Sequence, residues 1–389
     1  MKILFIGARL FDEVATYARF KGITSILSES DPKSPNLKLA DEYHIVPRGM
    51  DYPMDLAISK DVDAVVPLIG IDKPLLEVAR MKEKLEKEHQ LPVIASGVNA
   101  TEISINKIKT KNFLREIGVK TPEFSVISKK QCNTPKSKLN SESILKFPTV
   151  LKQPEGQGGA GVKIVLSTED KAAYFETFSH AMAEDFLKGT EISVEVLRWN
   201  NKSVPLVGIN KGDTTLECTH PLNKIRTAPV NLMNLDNQEL LQTAAKITDD
   251  LGAGGTTEVE FIFDEKTQQL NALEINTRPS GTRFLTLSSS NINPMHQLVN
   301  MALNEWKPHK IEQEIKQYAA LEMPLPLKKS ESLQIHNKNN NKNTKLKKHI
   351  FTLNKPWIIH GPVKACRITV RAKTRDESFK IVKDLKIME

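Results

Sequence analysis

Apolar and polar positions alternate in blocks over the first hundred residues. Short apolar runs at 2–6 (KILFI), 23–27 (ITSIL), 62–67 (VDAVVP) and 91–95 (LPVIA) have the length of strands. Between them, 11–20 and 74–88 carry apolar residues at helical spacing, and Gly22 stops the first. Strands alternating with helices predict a parallel, doubly wound sheet. Its first turn, Gly7-Ala8-Arg9-Leu10-Phe11-Asp12, holds one of the three glycines of a dinucleotide fingerprint. Large residues stand where a pyrophosphate would approach, so this sheet is expected to bind no dinucleotide.

The pattern then changes. Residues 105–118 read as an amphipathic helix capped by Asn106, with Ile108, Phe113, Leu114 and Ile117 inward and Gly118 at the stop. Lys107 and Lys111 lie four apart on one face, which spacing alone makes a solvated face. Residues 128–146 are a polar loop, and 147–165 read as strand, glycine-rich loop, strand. Two strands flank Gly189 within 181–197, a helix covers 236–251, and 258–276 form a hairpin. Residues 291–307 are helical, and 366–385 read as a strand followed by a helix. The expected division is 1–104, 105–188, 189–326, a Lys/Asn-rich loop at 327–349, and a terminal strand–helix piece at 350–389.

Composition sharpens this picture in two ways. The net charge of +8 invites nucleic acid, but 328–349 hold seven Lys and one Glu, a balance of +6 that leaves +2 for all other residues. A broad basic face is therefore not indicated. The chain holds no apolar run of membrane-spanning length, and its first residues read as a strand and not as a leader. Cys132, Cys218 and Cys366 are three and widely spaced, which fits a reducing cytoplasm better than a disulfide framework.

Two segments could carry chemistry. Gly156, Gly158, Gly159 and Gly161 leave backbone N–H groups able to reach phosphate oxygens, and Lys152 stands four residues before them as a point charge. No Gly-Lys-Ser/Thr follows, so this is not a Walker loop. On the hairpin, side chains two apart share a face, which aligns Glu274 with Asn276 and Glu258 with Glu260. Carboxylates on such apolar strands are costly unless paired or metal-bound. Glu260, Glu274 and Asn276 offer only oxygen, a set suited to Mg²⁺ or Mn²⁺ and not to zinc. Arg278 and Arg283 follow and could hold a carboxylate or acyl phosphate in bidentate fashion. His220 and Arg226 are weaker candidates for the substrate side.

The order of the Lys107 helix, Lys152 with GQGGAG, AEDFLKGTEISVEV, and EVEF followed by LEINTRPSG resembles the ATP-grasp superfamily over about residues 1–325. The ending E-x-N-x-R-x-S-G is its most specific part. Within that superfamily the chain is similar to stand-alone ligases like the carbamoyl phosphate synthase large subunit and to the pyrrolysine-biosynthesis carboxylate–amine ligases. The resemblance implies an α/β fold in which a doubly wound domain precedes two α+β subdomains that clamp ATP. It implies that Lys107, Lys152, Gly158 and Gly159 contact phosphates. Glu184, Phe186 and Leu187 would frame adenine, and Glu191 would bind the ribose. Glu260, Glu274 and Asn276 would hold the metal, and Lys152 and Arg278 would serve catalysis. The implied reaction is ADP-forming ligation of a small carboxylate to an amine, with bicarbonate as the alternative carboxylate. Many members of the superfamily are homodimers. Asn106 stands where the family usually has an acidic residue.

Overall fold

The structure, a computed structural model, describes residues 1–132, 146–213, 224–326, 351–352, 355–361 and 365–387. His220 and the Lys/Asn-rich segment 328–349 lie outside them.

Strands β1 (Lys2–Ile6), β2 (Thr24–Glu29), β3 (Glu42–Ile45) and β4 (Ala64–Pro67) form a parallel sheet in the order β3-β2-β1-β4. Helices α1 (Ala15–Phe20), α2 (Asp51–Ser59) and α3 (Leu75–His89) pack on it. Leu4, Ile6 and Val65 face one core with Met81 and Leu85 of α3, while Ile3, Phe5 and Val66 face another. That second core also contains Val204, Leu206, Met295 and Leu298, so the sheet is seated on the body of the protein.

Three readings of this region change. The strand expected at 91–95 is a single bridge between Val65 and Val93, because Pro92 has no N–H and the chain turns where Ala95 N–H bonds Val93 O. The helix expected at 11–20 divides into a 3₁₀ segment, Ala8–Glu13, and α1. Strand β3 was not anticipated; its alternation of half-buried and exposed residues marks it as a sheet edge.

Helix α4 (Val98–Ile105) leads into α5 (Lys107–Glu116), where the Asn106 side chain accepts from the N–H groups of Ile108 and Lys109. A second sheet follows: β5 (Phe124–Ser128), β6 (Thr149–Lys152), β7 (Lys163–Val165) and β8 (His180–Asp185), antiparallel in the order β5-β8-β6-β7. Helices α6 (Lys129–Cys132) and α7 (Thr168–Thr177) complete that layer.

The third sheet has eight strands in the order β13-β12-β9-β10-β11-β14-β16-β15. They are β9 (Gly189–Trp199), β10 (Lys202–Asp213), β11 (Arg226–Ala228), β12 (Gly255–Asp264), β13 (Gln269–Asn276), β14 (Ala319–Pro324), β15 (Trp357–His360) and β16 (Arg367–Ala372). Ile192, Val194, Val259, Phe261 and Ile275 point to one face and meet Leu240, Ala244 and Ile247 of α8 (Asn237–Leu251) and Phe113 and Leu114 of α5. Helix α8 is capped by Asp236 and stops at Gly252 in a left-handed conformation. Helices α9 (Arg283–Ser290), α10 (Pro294–Ala302), α11 (Pro308–Glu314) and α12 (Arg375–Asp384) pack around the sheet. The terminal strand–helix reading holds, and its strand joins this sheet beside β14. No helix among the described residues is long and apolar enough to cross a membrane.

Candidate active site

The apolar face of the large sheet is buried, so its alternate positions face the opposite way. Register places Glu260 across from Glu274 and Glu258 across from Asn276 on β12 and β13. On the other side of β12, Glu258 pairs with Glu195, Glu260 with Ser193, and Ile262 with Glu191 of β9. A bulge next to Glu260 shifts the β13 register, so Phe261 faces Ala272. The expected shared face of Glu258, Glu260, Glu274 and Asn276 is therefore present. The Asn276 amide donates to Glu260 Oε1 at 3.4 Å.

Cations gather on this face. Lys211 Nζ is 2.6 Å from Glu260 Oε2. Lys107 Nζ is 3.9 Å from Glu274 Oε1 and donates to Gly156 O at 2.6 Å. Lys152 Nζ is 2.7 Å from Glu184 Oε2, and Lys111 Nζ is 3.0 Å from Glu184 Oε1. Lys111 also donates to Thr121 Oγ1 at 2.6 Å. The solvated-face reading of α5 is thus overturned: Lys107 is 8% exposed and Lys111 fully buried, because Glu184 arrives from β8 to receive the charge.

Burial pushes the Lys111 ammonium down to about 8, with Glu184 opposing. Lys152 is also desolvated, but Glu184 and Glu274 hold its pKa above the usual lysine range. Burial lifts the Glu260 carboxyl above its ordinary value despite Lys211, since Glu258 and Glu274 stand beside it. Glu258 and Glu274 go the other way. Their burial is outweighed by Lys211 for Glu258 and by Lys107 and Lys152 for Glu274. Three neighbouring carboxylates oppose one another's ionisation, and Glu260 is the one whose pKa is raised.

The remaining sequence candidates distribute around this centre. Gly158 and Gly159 are exposed in the loop between β6 and β7, both at positive φ, where glycine meets no backbone penalty. Phe186 and Leu187 are half-buried between β8 and β9, and Glu191 receives Lys224 at 3.4 Å. Arg278 Nη2 donates to Asn276 Oδ1 at 3.3 Å, and its Nε donates to Asp72 Oδ1 at 2.5 Å. Arg283 is directed to Glu13, with Nε to Oε2 at 2.7 Å. Arg226 is buried: its charge is felt at Lys211, while its Nη1 donates to Glu322 at 3.2 Å. His220 lies outside the described residues.

Lys211, Glu13 and Asp72 escaped the sequence reading. Lys211 ends the apolar run VPLVGIN and is 8% exposed, the one local signal available for it. Glu13 and Asp72 gain their meaning from arginines more than two hundred residues away.

The donor set can take a hard cation: two carboxylates and an amide oxygen on paired strands, with no sulfur or imidazole. Ammonium groups now sit against both carboxylates. Among the described residues, no group of three His, Cys, Asp or Glu is arranged to hold a metal.

The family profile described as "Carbamoyl-phosphate synthase L chain, ATP binding domain" matches residues 106–305, just over half of the chain. The chain belongs to this family. It is an ATP-grasp protein and an ADP-forming carbon–nitrogen ligase by class. A protein of Methanobrevibacter smithii named carbamoyl-phosphate synthase is 47% identical over 385 residues, covering 99% of this chain and all of that one. The ATP-grasp fold is shared with biotin carboxylase of Campylobacter jejuni, at a TM-score of 0.73 and 19% identity over 99% of this chain and 90% of that one. An L-amino acid ligase of Bacillus licheniformis has a TM-score of 0.72 and 18% identity over 99% and 96%.

Proposed function

We propose that this ATP-grasp ligase activates an amino-acid-type carboxylate as an acyl phosphate and passes the acyl group to an amine. The observation that carries this reading is the meeting of Glu260, Glu274 and Asn276 with the ammonium groups of Lys107, Lys152 and Lys211 on one sheet face. Such a face suits a polyphosphate with its divalent cation and little else.

In this reading Lys107 and Lys152 bind phosphate oxygens, and the backbone around Gly158 and Gly159 closes over them. Glu184, Phe186 and Leu187 frame adenine, and Glu191 binds the ribose hydroxyls. The buried pairs of Glu184 with Lys111 and Lys152 fix the second sheet against α5 and aim Lys152. Glu260, Glu274 and Asn276 hold Mg²⁺, which when bound neutralises charge on the transferring phosphoryl group.

The substrate carboxylate oxygen attacks the γ-phosphorus in line, the bond to the ADP oxygen breaks, and an acyl phosphate forms. The amine lone pair then attacks the acyl carbon. The carbon–oxygen bond to phosphate breaks, inorganic phosphate leaves, and the amine gives up its proton. In this reading Arg278 stabilises the oxyanion of that second step. Arg283, Arg226 and His220 are candidates for the substrate side. The glycine-rich loop, when closed, keeps water from the acyl phosphate.

A second reading has its own support: the full-length relative is named carbamoyl-phosphate synthase. There bicarbonate is the carboxylate and carboxyphosphate the intermediate. ADP release is measured with pooled amino acids, in buffer freed of carbon dioxide and then with bicarbonate and ammonia added. Stimulation by an amino acid pair without bicarbonate supports the first reading. Strict bicarbonate dependence supports the second, and silence under all conditions refutes both.

A further inference from the structure

We propose that Asp72 is a positioning residue that ties closure of the glycine-rich loop to the orientation of Arg278. The role of Arg278 in this statement rests on the acyl-transfer reading; the physical link does not.

Asp72 lies in the turn after β4, at the carboxyl end of the parallel sheet, where doubly wound sheets meet their ligands. Its Oδ1 accepts from Arg278 Nε at 2.5 Å, and the neighbouring Nη2 donates to Asn276 Oδ1 at 3.3 Å. These two donors lie on one edge of the planar guanidinium, so that edge is held by protein. The end-on fork of Nη1 and Nη2 is then presented in a fixed plane, as bidentate oxyanion binding needs. The side chains are 19% and 12% exposed, so solvent screens the pair only weakly.

The same residue touches the loop. Asp72 N–H donates to the Gln157 side-chain oxygen at 2.7 Å, across 85 residues of sequence. Gln157 stands between Gly156 and Gly158. The loop is pinned a second time where Lys107 Nζ reaches Gly156 O at 2.6 Å and Lys107 N–H reaches Pro154 O at 2.8 Å. One pin therefore runs to a phosphate-side lysine and the other to the residue that orients Arg278. Lifting the loop withdraws Gln157 from the Asp72 turn and frees the guanidinium edge. By reciprocity, fixing Arg278 on an anion favours the lowered loop. Glu258, Glu260 and Glu274 occupy the same face, so a further carboxylate here is unfavourable unless it serves the arginine.

Amide exchange on the full chain reads the link without any ligand. Gln157→Ala is expected to speed exchange across 68–75 by about fivefold or more, and Asp72→Asn to do the same across 277–284, with 240–251 unchanged in both. With a magnesium complex of a non-hydrolysable ATP analogue, the wild type should slow exchange at 154–162 and 68–75 together, and Gln157→Ala should separate the two. In turnover, Asp72→Asn is expected to lower kcat by roughly 30-fold or more while the KM for ATP stays within about threefold. Asp72→Glu should recover part of kcat, and adding Gln157→Ala to Asp72→Asn should cost less than the product of the single effects. Exchange at 68–75 indifferent to Gln157→Ala, or kcat of Asp72→Asn within about twofold of wild type, overturns the proposal. A wild type that releases no ADP under any condition refutes the ligase reading instead, and the exchange results then decide the link alone.

Discussion

Two clusters of buried charge lie side by side in the large sheet, and they are built on opposite principles. Around Glu322 of β14 every acceptor is engaged. Oε1 accepts from Arg367 Nε at 2.7 Å and Arg226 Nη1 at 3.2 Å, and Oε2 accepts from Thr369 Oγ1 at 3.2 Å beside the His360 ring at 3.3 Å. Burial alone would raise the Glu322 carboxyl, but His360 and the two arginines hold it well below the carboxylate range. His360 is also desolvated, which lowers its pKa, and its ring stacks on Phe284 at 4.0 Å. Around Glu260 the balance is reversed. Three carboxylates share ammonium groups at 2.6 and 3.9 Å, and burial beside Glu258 and Glu274 lifts the Glu260 carboxyl above its ordinary value. In the first cluster both carboxylate oxygens are engaged by protein groups. The second, in the function proposed above, is arranged for a charge that a ligand brings. A buried ion pair is thus informative about function through what it leaves unsatisfied.

The contrast can be broken at either end. Glu274→Gln should reduce ADP formation by on the order of 10³-fold, since several kcal/mol of transition-state charge stabilisation is removed. The same change should lower stability by only about 1 kcal/mol, because Lys152 keeps Glu184 and Lys107 keeps Gly156 O as partners. Activity and a denaturant titration on one preparation check both halves. Glu322→Ala should cost more stability, about 3–5 kcal/mol, by removing the buried carboxylate that Arg226 and Arg367 share. A midpoint unchanged in urea would show that the closed cluster is not what holds β14 to β16.

A smaller effect sharpens the boundary between the clusters. Glu195 of β9 faces Glu258 across the ladder and accepts from Thr256 Oγ1 at 2.9 Å. Burial pushes its carboxyl up to about 7 from an ordinary value near 4.5, with Glu258 adding to the rise and Thr256 opposing it. The folded state therefore holds a proton that the unfolded state releases within that window. Stability contributed by Glu195 is present below pH 4.5 and declines as pH rises towards 7, by about 3 kcal/mol over the window. Glu195→Gln should flatten that part of the melting profile. A slope identical to wild type would remove Glu195 as its source.

Local pattern carried the face of Glu258, Glu260, Glu274 and Asn276, because strand parity needs only two neighbouring segments. It also carried the Asn106 cap and the glycine stops, which are decided within a few residues. It misjudged Lys111, since helical spacing reports that two lysines share a face but not that Glu184 of another sheet covers it. It set Arg226 beside the substrate without seeing Glu322, 96 residues on. Asp72 was invisible for the same reason: an aspartate in a short turn carries no mark of an arginine that reaches it after two sheets have been laid down.

The order of strands in the large sheet has a consequence for how the protein is made. Glu322 leaves the ribosome 45 residues before Arg367. At about 5–20 residues per second, that is a wait of a few seconds with its principal counter-ion still unsynthesised. The hairpin of β12 and β13 is by then fully translated, but the seam that receives β16 must stay hydrated until the last stretch arrives. Nascent chains stalled in that interval carry an unfinished edge that folding helpers can recognise.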